Sequence, residues 1–193
     1  MGRKHLMDGW GDAVVAVAFL LALAMAIGAQ CDAEANDTTA LDELRVSDAL
    51  RELADVEDER AERLAVIIED AGEQHGIDPL LLVAIGMRES GWQERFERLQ
   101  RFGSRGEVGL MQTHGVALRF RPPGCTAELR GARCQIETGA AFLAHVRSHC
   151  RGPIEVWVGA YGMSACPTVE RAAMHQSVRR VRRYYERIGG EWR

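Results

Sequence analysis

The sequence predicts a mostly α-helical fold. Apolar residues recur at helical spacing in one segment after another, and glycine and proline punctuate the gaps between them. No run of alternating apolar and polar residues marks a strand. The 193 residues leave room for one domain of ordinary size behind a leader. The expected organisation is a leader over 1–30, a linker and polar helical extension over 31–60, and a single domain over 61–190.

Arg3 and Lys4 precede an uncharged stretch from Ala13 to Ala29, a positive region followed by an apolar one. The stretch is slightly long for a signal-peptide core of about 7–15 residues and slightly short for a membrane span of about 20. Ala24, Ala26, Gly28 and Ala29 offer cleavage sites, and Cys31, preceded by Gln30, offers a lipidation site. Cleavage, an uncleaved inner-membrane anchor and lipidation all place the remaining chain outside the cytoplasm, in the periplasm or beyond.

Asp32 to Thr39 is small and polar, as a linker is. From Leu41 to Asp58, Leu44, Leu50, Leu53 and Val56 recur among many acids, which predicts an amphipathic helix that packs on the domain or extends from it as a spacer. Leu64, Ile67, Ile68 and Ala71 mark the next helix, closed by His75-Gly76. Asp78 is a good N-cap and Pro79 suits the first helical position, so a helix is expected over Pro79–Ser90, with Gly91 as its stop. Trp92 to Arg105 is polar and aromatic. A helix is expected to start within Val108 to Ala117, and Arg121-Pro122-Pro123-Gly124 is a loop. Ile136 to His149 is helical, with Ala140, Leu143 and Val146 on one side. Ile154 to Ala160 leads into Tyr161, and Val169 to Ile188 closes the chain with Val178, Val181 and Tyr185 on a stripe.

Five cysteines occur, four of them within the expected domain: Cys125, Cys134, Cys150 and Cys166. Four permit three pairings, of which Cys125–Cys134 with Cys150–Cys166 is the local one. Each local bridge would staple a loop leading into or out of a helix, and such a bridge contributes roughly 2–4 kcal/mol. No C-x-x-C or H-x-x-x-H pair provides a clamp for zinc, so a structural, oxidised role is expected rather than a metal site. The formal net charge is −4, but it is divided. Acids dominate from Asn36 to Glu94, and Arg95 to Arg193 is basic, which suits either a polyanionic partner or two solvated faces in balance. Arg179, Arg180, Arg182 and Arg183 form the one dense basic run, on one short helix, and with an export signal this gives a nucleic-acid role little support.

Glu89 is the residue with chemical promise. Leu82, Ile85 and Glu89 share a face, so an acidic side chain terminates a helix rich in Leu, Val, Ile and Met. Partial desolvation and the negative end of the helix dipole both disfavour its charged form. A raised carboxyl pKa is what a general acid near neutral pH needs. A solvated terminal Glu is the plain alternative. Glu94, Glu97 and Glu107 lie in a polar stretch that reads as solvated.

Glu89-Ser90, Gly109-Leu110-Met111-Gln112 and Ala160-Tyr161, in this order, resemble the three motifs of the lytic transglycosylase family with the goose-lysozyme-like SLT domain. The likeness runs from about Glu62 to Ile188 and includes Gln135-Ile136, Gly139, Leu143 and Tyr184-Tyr185. It implies a lysozyme-like (SLT) domain acting on peptidoglycan glycan strands without a cofactor. Glu89 would be the single acid and base, and Ser90, Met111, Gln112 and Tyr161 would lie at the substrate groove, with Ser90 serving chiefly to fix the helix end. Core packing is the alternative for Met111 and for Tyr161. The chain departs from the pattern where Gly162-Met163-Ser164-Ala165 follows Tyr161 in place of Asn-Ala-Gly. Glu107 replaces a small residue, and Ser104 stands one place off the motif serine. Two other functions remain compatible with these residues: a hydrolase with Glu107 as base, and a wall-binding module without turnover.

Overall fold

The apolar stripes of the sequence become helices that pack around one of their number. A computed structural model describes residues 46–163 and 165–193, so the leader, the linker, Leu44, Cys31 and Ser164 lie outside the described residues. The described chain is helical: α1 over 46–54, α2 Asp58–His75, α3 Pro79–Glu89, α4 Glu94–Glu97, a 3₁₀ turn Gly115–Phe120, α5 Ala132–His149, α6 Ile154–Met163, α7 Val169–Met174 and α8 Gln176–Arg187. Among the described residues there is no strand, only an isolated antiparallel bridge between Val108 and Thr113. The mostly α architecture is as expected.

Helix α3 is the centre. Its residues Leu80 to Gly86 are all buried, because an apolar surface on every side must be enclosed on every side. α2 covers one flank and α8 another, while α2 also packs on α5, and α6 bridges α5 to α7 and α8. At its start, Asp78 accepts the Leu80 N–H at 2.8 Å, the N-cap bond that its sequence position predicts. The other carboxylate oxygen of Asp78 accepts from the Tyr185 hydroxyl, which ties the start of α3 to the end of α8.

The end of α3 is secured by a residue that sequence reasoning left in a nondescript polar stretch. Trp92, almost wholly buried, folds back with its indole N–H donating to the Val83 carbonyl at 2.9 Å. The ring lies so close to Gly86 that a Cβ there would sit 2.3 Å from Cζ2. The Ser90 hydroxyl donates to the Gly86 carbonyl at 3.2 Å and accepts from the Trp92 N–H at 3.1 Å, so Ser90 joins the helix end to this turn.

α1 settles the choice between spacer and packing. Val46, Ala49, Leu50, Leu53 and Val56 are buried in the same core as Leu64, Ile68 and Leu82, so this part of the 31–60 segment contributes to the domain core. Two further expectations are corrected. No helix starts around Gly109-Leu110-Met111-Gln112. The segment is instead a turn closed by paired bonds between Val108 and Thr113, at 2.9 and 3.1 Å, with the 3₁₀ turn after it. The closing segment is two helices, broken at His175, rather than one. Val178, Val181 and Tyr185 on its second half are buried as the stripe requires.

The local cysteine pairing is present. Cys125 joins Cys134 and Cys150 joins Cys166, so both bridges attach to α5, one in its first turn and one at its C-terminal cap. Two disulfides are compatible with a secreted or periplasmic protein. No helix among the described residues is long and apolar enough to cross a membrane.

The Trp92–Gly86 contact is open to a test in which two effects oppose each other. Alanine is the better helix former by about 1 kcal/mol, whereas overpacking a filled site costs about 1–3 kcal/mol or more. With a Cβ placed inside the indole, Gly86→Ala is expected to lower the thermal midpoint; an unchanged or raised Tm would show that the ring is not packed as described.

Candidate functional site

A polar cleft of about 270 Å³ opens at the end of α3. Arg88 and Glu89 form one side, and Gly103, Ser104, Arg105 and Glu107 come from the loop after α4. Gln112 and His114 come from the turn that follows, and Tyr161 and Gly162 from α6. A larger, open groove of about 570 Å³ runs along α8 between Arg179, Arg182, Glu155 and Glu186, but it carries no such grouping of acid, amide and phenol. Glu89, Gln112 and Tyr161 meet in the smaller cleft.

Glu89 ends α3, as its spacing predicts. Its side chain is only 12 % exposed, and burial raises its carboxyl above the usual range. Arg88 opposes that shift: its Nη1 lies 2.5 Å from Glu89 Oε2, yet burial prevails. The charge of Glu107 adds to the upward push. A proton is therefore held on Glu89 to a higher pH than on an ordinary glutamate.

Glu107 does not meet its expectation of a solvated residue. Its side chain is 11 % exposed and turned into the cleft wall. Burial disfavours its charge, but the Arg105 N–H at 2.8 Å and the Arg105 side chain at 3.0 Å outweigh burial and hold the carboxyl below the usual range. Gly103 makes this possible. A Cβ at that position would stand 2.3 Å from Glu107 Oε2 and 2.6 Å from Gln112 Oε1, so only glycine lets both side chains converge beside it. Glu97 is likewise not solvated. It is paired with Arg60 at 2.8 Å and Arg63 at 2.9 Å, away from the cleft.

The second motif is held in place by Gln135 of α5, a fully buried amide with its bonds satisfied. Its Oε1 accepts from the Leu110 N–H at 2.9 Å, and its Nε2 donates to the carbonyls of Glu97 and Leu129 at 2.8 and 3.0 Å. Gln112 then takes a left-handed backbone (φ 46°), and its Nε2 donates to the Gly109 carbonyl at 2.8 Å, closing its own turn. Met111 is a correction. Its side chain is fully buried over Gly139 in the core and does not line the cleft. What Met111 offers is its carbonyl, which accepts from the Tyr161 hydroxyl at 2.8 Å. Ser90, also named for the groove, is buried at the helix end and does not line the cleft.

Tyr161 joins α6 to this turn while facing the cleft. Burial, and then the nearby charge of Glu89, keep its phenol well above the ordinary range, so it serves as a neutral hydrogen-bonding group. The site thus combines a carboxyl that favours its proton, one that favours its charge, a phenol and an amide. Among the described residues no cluster of His, Cys, Asp and Glu is placed to hold a metal ion. Arg88, Gly103 and His114 went unnoticed as site residues in the sequence, Glu107 was considered only as the base of a hydrolase, and Gln135 only as part of the motif likeness. The chain brings them together from distant positions, and the one local sign was Glu107 standing where a small residue was expected. No model of a known protein family matches the chain, and no curated protein matches it significantly.

The raised carboxyl has a measurable consequence for stability. A group whose folded-state pKa lies above its unfolded value contributes stability that is fully present below the unfolded value, near 4.5, and is lost as pH rises through the folded one. Glu89→Gln removes that loss. The variant is expected to be more stable than the parent at pH 7 and equal to it at pH 3.5; parallel denaturant titrations at both pH values check this, and a variant destabilised at pH 7 would contradict the burial argument.

Proposed function

We propose that the chain is a peptidoglycan lytic transglycosylase with a lysozyme-like SLT domain, acting outside the cytoplasm. The observation that carries the reading is Glu89: a carboxyl at the end of a buried helix, inclined to keep its proton, in a cleft shared with Gln112 and Tyr161. The motif resemblance at Glu89-Ser90, Gly109-Leu110-Met111-Gln112 and Ala160-Tyr161 supplies the substrate class. The two disulfides support an oxidising compartment, and the basic half of the chain suits the carboxylates of wall peptides.

In this reading Glu89 gives its proton to the oxygen of the β-1,4 bond between N-acetylmuramic acid and N-acetylglucosamine. The C1–O bond breaks, and the substrate's own acetamido group stabilises the cation developing at C1. The Glu89 carboxylate then takes the proton of the C6 hydroxyl, whose oxygen closes on C1. The product is a 1,6-anhydromuramyl end; Glu89 is returned protonated and no water is consumed. Tyr161 holds the Met111 carbonyl and with it the Gly109–Gln112 turn, so that Gln112 meets the sugar at a fixed place.

A hydrolase is the second reading, and Glu107 is what favours it. Two carboxyls in one cleft with pKa values pushed in opposite directions are the usual arrangement of an acid and a base. An ionised Glu107 could activate water against the same cation.

Digestion of purified sacculi separates these readings. Glu89→Gln is expected to lower the rate by about 10²–10⁴-fold, the typical worth of general acid–base catalysis, with the fold retained. Mass analysis of the wild-type digest is expected to show muropeptides lighter by one water than hydrolytic products, and Glu107→Gln should still release them. Reducing muramic ends that vanish in Glu107→Gln would establish the hydrolase, and a wild type that releases no soluble product would leave a wall-binding module.

A further inference from the structure

The first and last turns of α3 are each tied to α8, which runs antiparallel beside it. Asp78 is joined to Tyr185 at one end and Arg88 to Ser177 at the other. The arginine that makes the second tie also contacts the proposed acid. Arg88 Nη1 donates to Glu89 Oε2 at 2.5 Å, and Arg88 Nη2 donates to the Ser177 hydroxyl at 2.6 Å.

We infer that Arg88 is a positioning residue for Glu89: anchored by Ser177, its guanidinium occupies carboxyl oxygen Oε2 and so leaves the acidic proton to Oε1. The inference rests on the reading of Glu89 as the acid. Consecutive residues of an α-helix point about 100° apart, so Arg88 and Glu89 have no intrinsic reason to meet. A partner on another helix must turn the guanidinium, and Ser177 in the first turn of α8 does so. A guanidinium has donors only and keeps its charge at every working pH. An oxygen that accepts from it is a poor place for a proton, so the proton is directed to the other oxygen of the same carboxyl. Arg88 thereby selects which oxygen delivers the proton, and the α3–α8 packing sets where that oxygen lies.

The remaining charged and titratable groups near Glu89 do not replace this function. Glu107 repels its charge from the loop wall, Arg105 is engaged with Glu107, and the Tyr161 phenol on α6 donates to Met111. His114 lines the same cleft. The Arg88 side chain is 30 % exposed, so a conservative replacement there can be accommodated.

The experiment compares Arg88→Gln, Arg88→Lys and Ser177→Ala in the full chain by two readouts. One is the carbon-13 NMR titration of the Glu89 carboxyl, assigned by its loss in Glu89→Gln. The other is the pH profile of sacculus digestion, resolved into kcat and KM. Removing the positive charge favours the protonated acid, so Arg88→Gln should raise the Glu89 midpoint and move the alkaline limb of the rate upward in parallel. Its kcat should fall roughly ten- to a hundredfold, the scale of a misplaced catalytic group, with KM little changed. Arg88→Lys restores the charge but not the two-pronged bridge, so its midpoint should return toward wild type while kcat stays low. Ser177→Ala should lower kcat with KM unchanged, and it carries the test should Arg88→Gln fail to fold. A midpoint that does not move in Arg88→Gln, or a Ser177→Ala with wild-type kcat, overturns the inference. If the wild type digests nothing, the proposed function fails, and the NMR midpoint still decides whether Arg88 governs the Glu89 proton.

Discussion

Everything at the cleft depends on helix α3 being apolar around its whole circumference. Such a helix is stable only when other elements enclose it, and α2 and α8 lie against it for that reason. Its axis is therefore defined by the core rather than by solvent, and whatever stands at its last position is held as firmly as the core itself. Glu89 is that residue. It inherits the burial that raises its pKa and keeps one side toward the cleft because the enclosure ends there. Trp92 completes the enclosure by closing over Gly86, and the Ser90 hydroxyl holds that turn.

The opposite wall is built by different means. The loop from Arg98 to His114 has little regular structure, so its position comes from side chains. Gln135 ties it to α5, since one buried amide accepts from Leu110 within the loop and donates to the carbonyls of Glu97 just before it and Leu129 beyond it, and Tyr161 holds the Met111 carbonyl. Leaving any of these unpaired in the interior would cost about 1–3 kcal/mol. The loop therefore has strong reason to sit where α5 puts it. Both disulfides also attach to α5, so the helix that locates the second motif is braced at its two ends.

Between these walls, two glutamates experience opposite fields. Glu89 has burial and the charge of Glu107 against its ionised form and two arginines, Arg88 chiefly, for it, and burial prevails; Glu107 has the Arg105 N–H and guanidinium, and they prevail over burial. The difference is one of local donors rather than of residue type. Because Arg88 spans from Glu89 to α8, the electrostatics of the cleft are also joined to the packing of the last helix.

The sequence by itself determined most of the helices, though not the turn at Gly109–Gln112 or the break at His175, together with the cap at Asp78, the placement of Glu89 at a helix end, the even set of domain cysteines and the order of the three motifs. These depend on spacing along the chain and on local backbone preferences, which the sequence carries directly. It misjudged Glu107 and Glu97, since polar composition resembles solvation until the fold buries a carboxylate beside an arginine, Arg105 two residues away for Glu107 and Arg60 and Arg63 of α2 for Glu97. It set Met111 beside the groove as well as in the core, and the turn closed between Val108 and Thr113 puts its side chain in the core, over Gly139. It showed nothing of Trp92 over Gly86, of Gln135 as a hub, or of Arg88 reaching Ser177. Each of these is a contact between residues whose neighbourhood the chain path creates, and only the tertiary structure decides which of many polar side chains meet. Thus an acidic helix end was legible in the sequence; the arginine that contacts it, and the second carboxyl in its cleft, are set by packing.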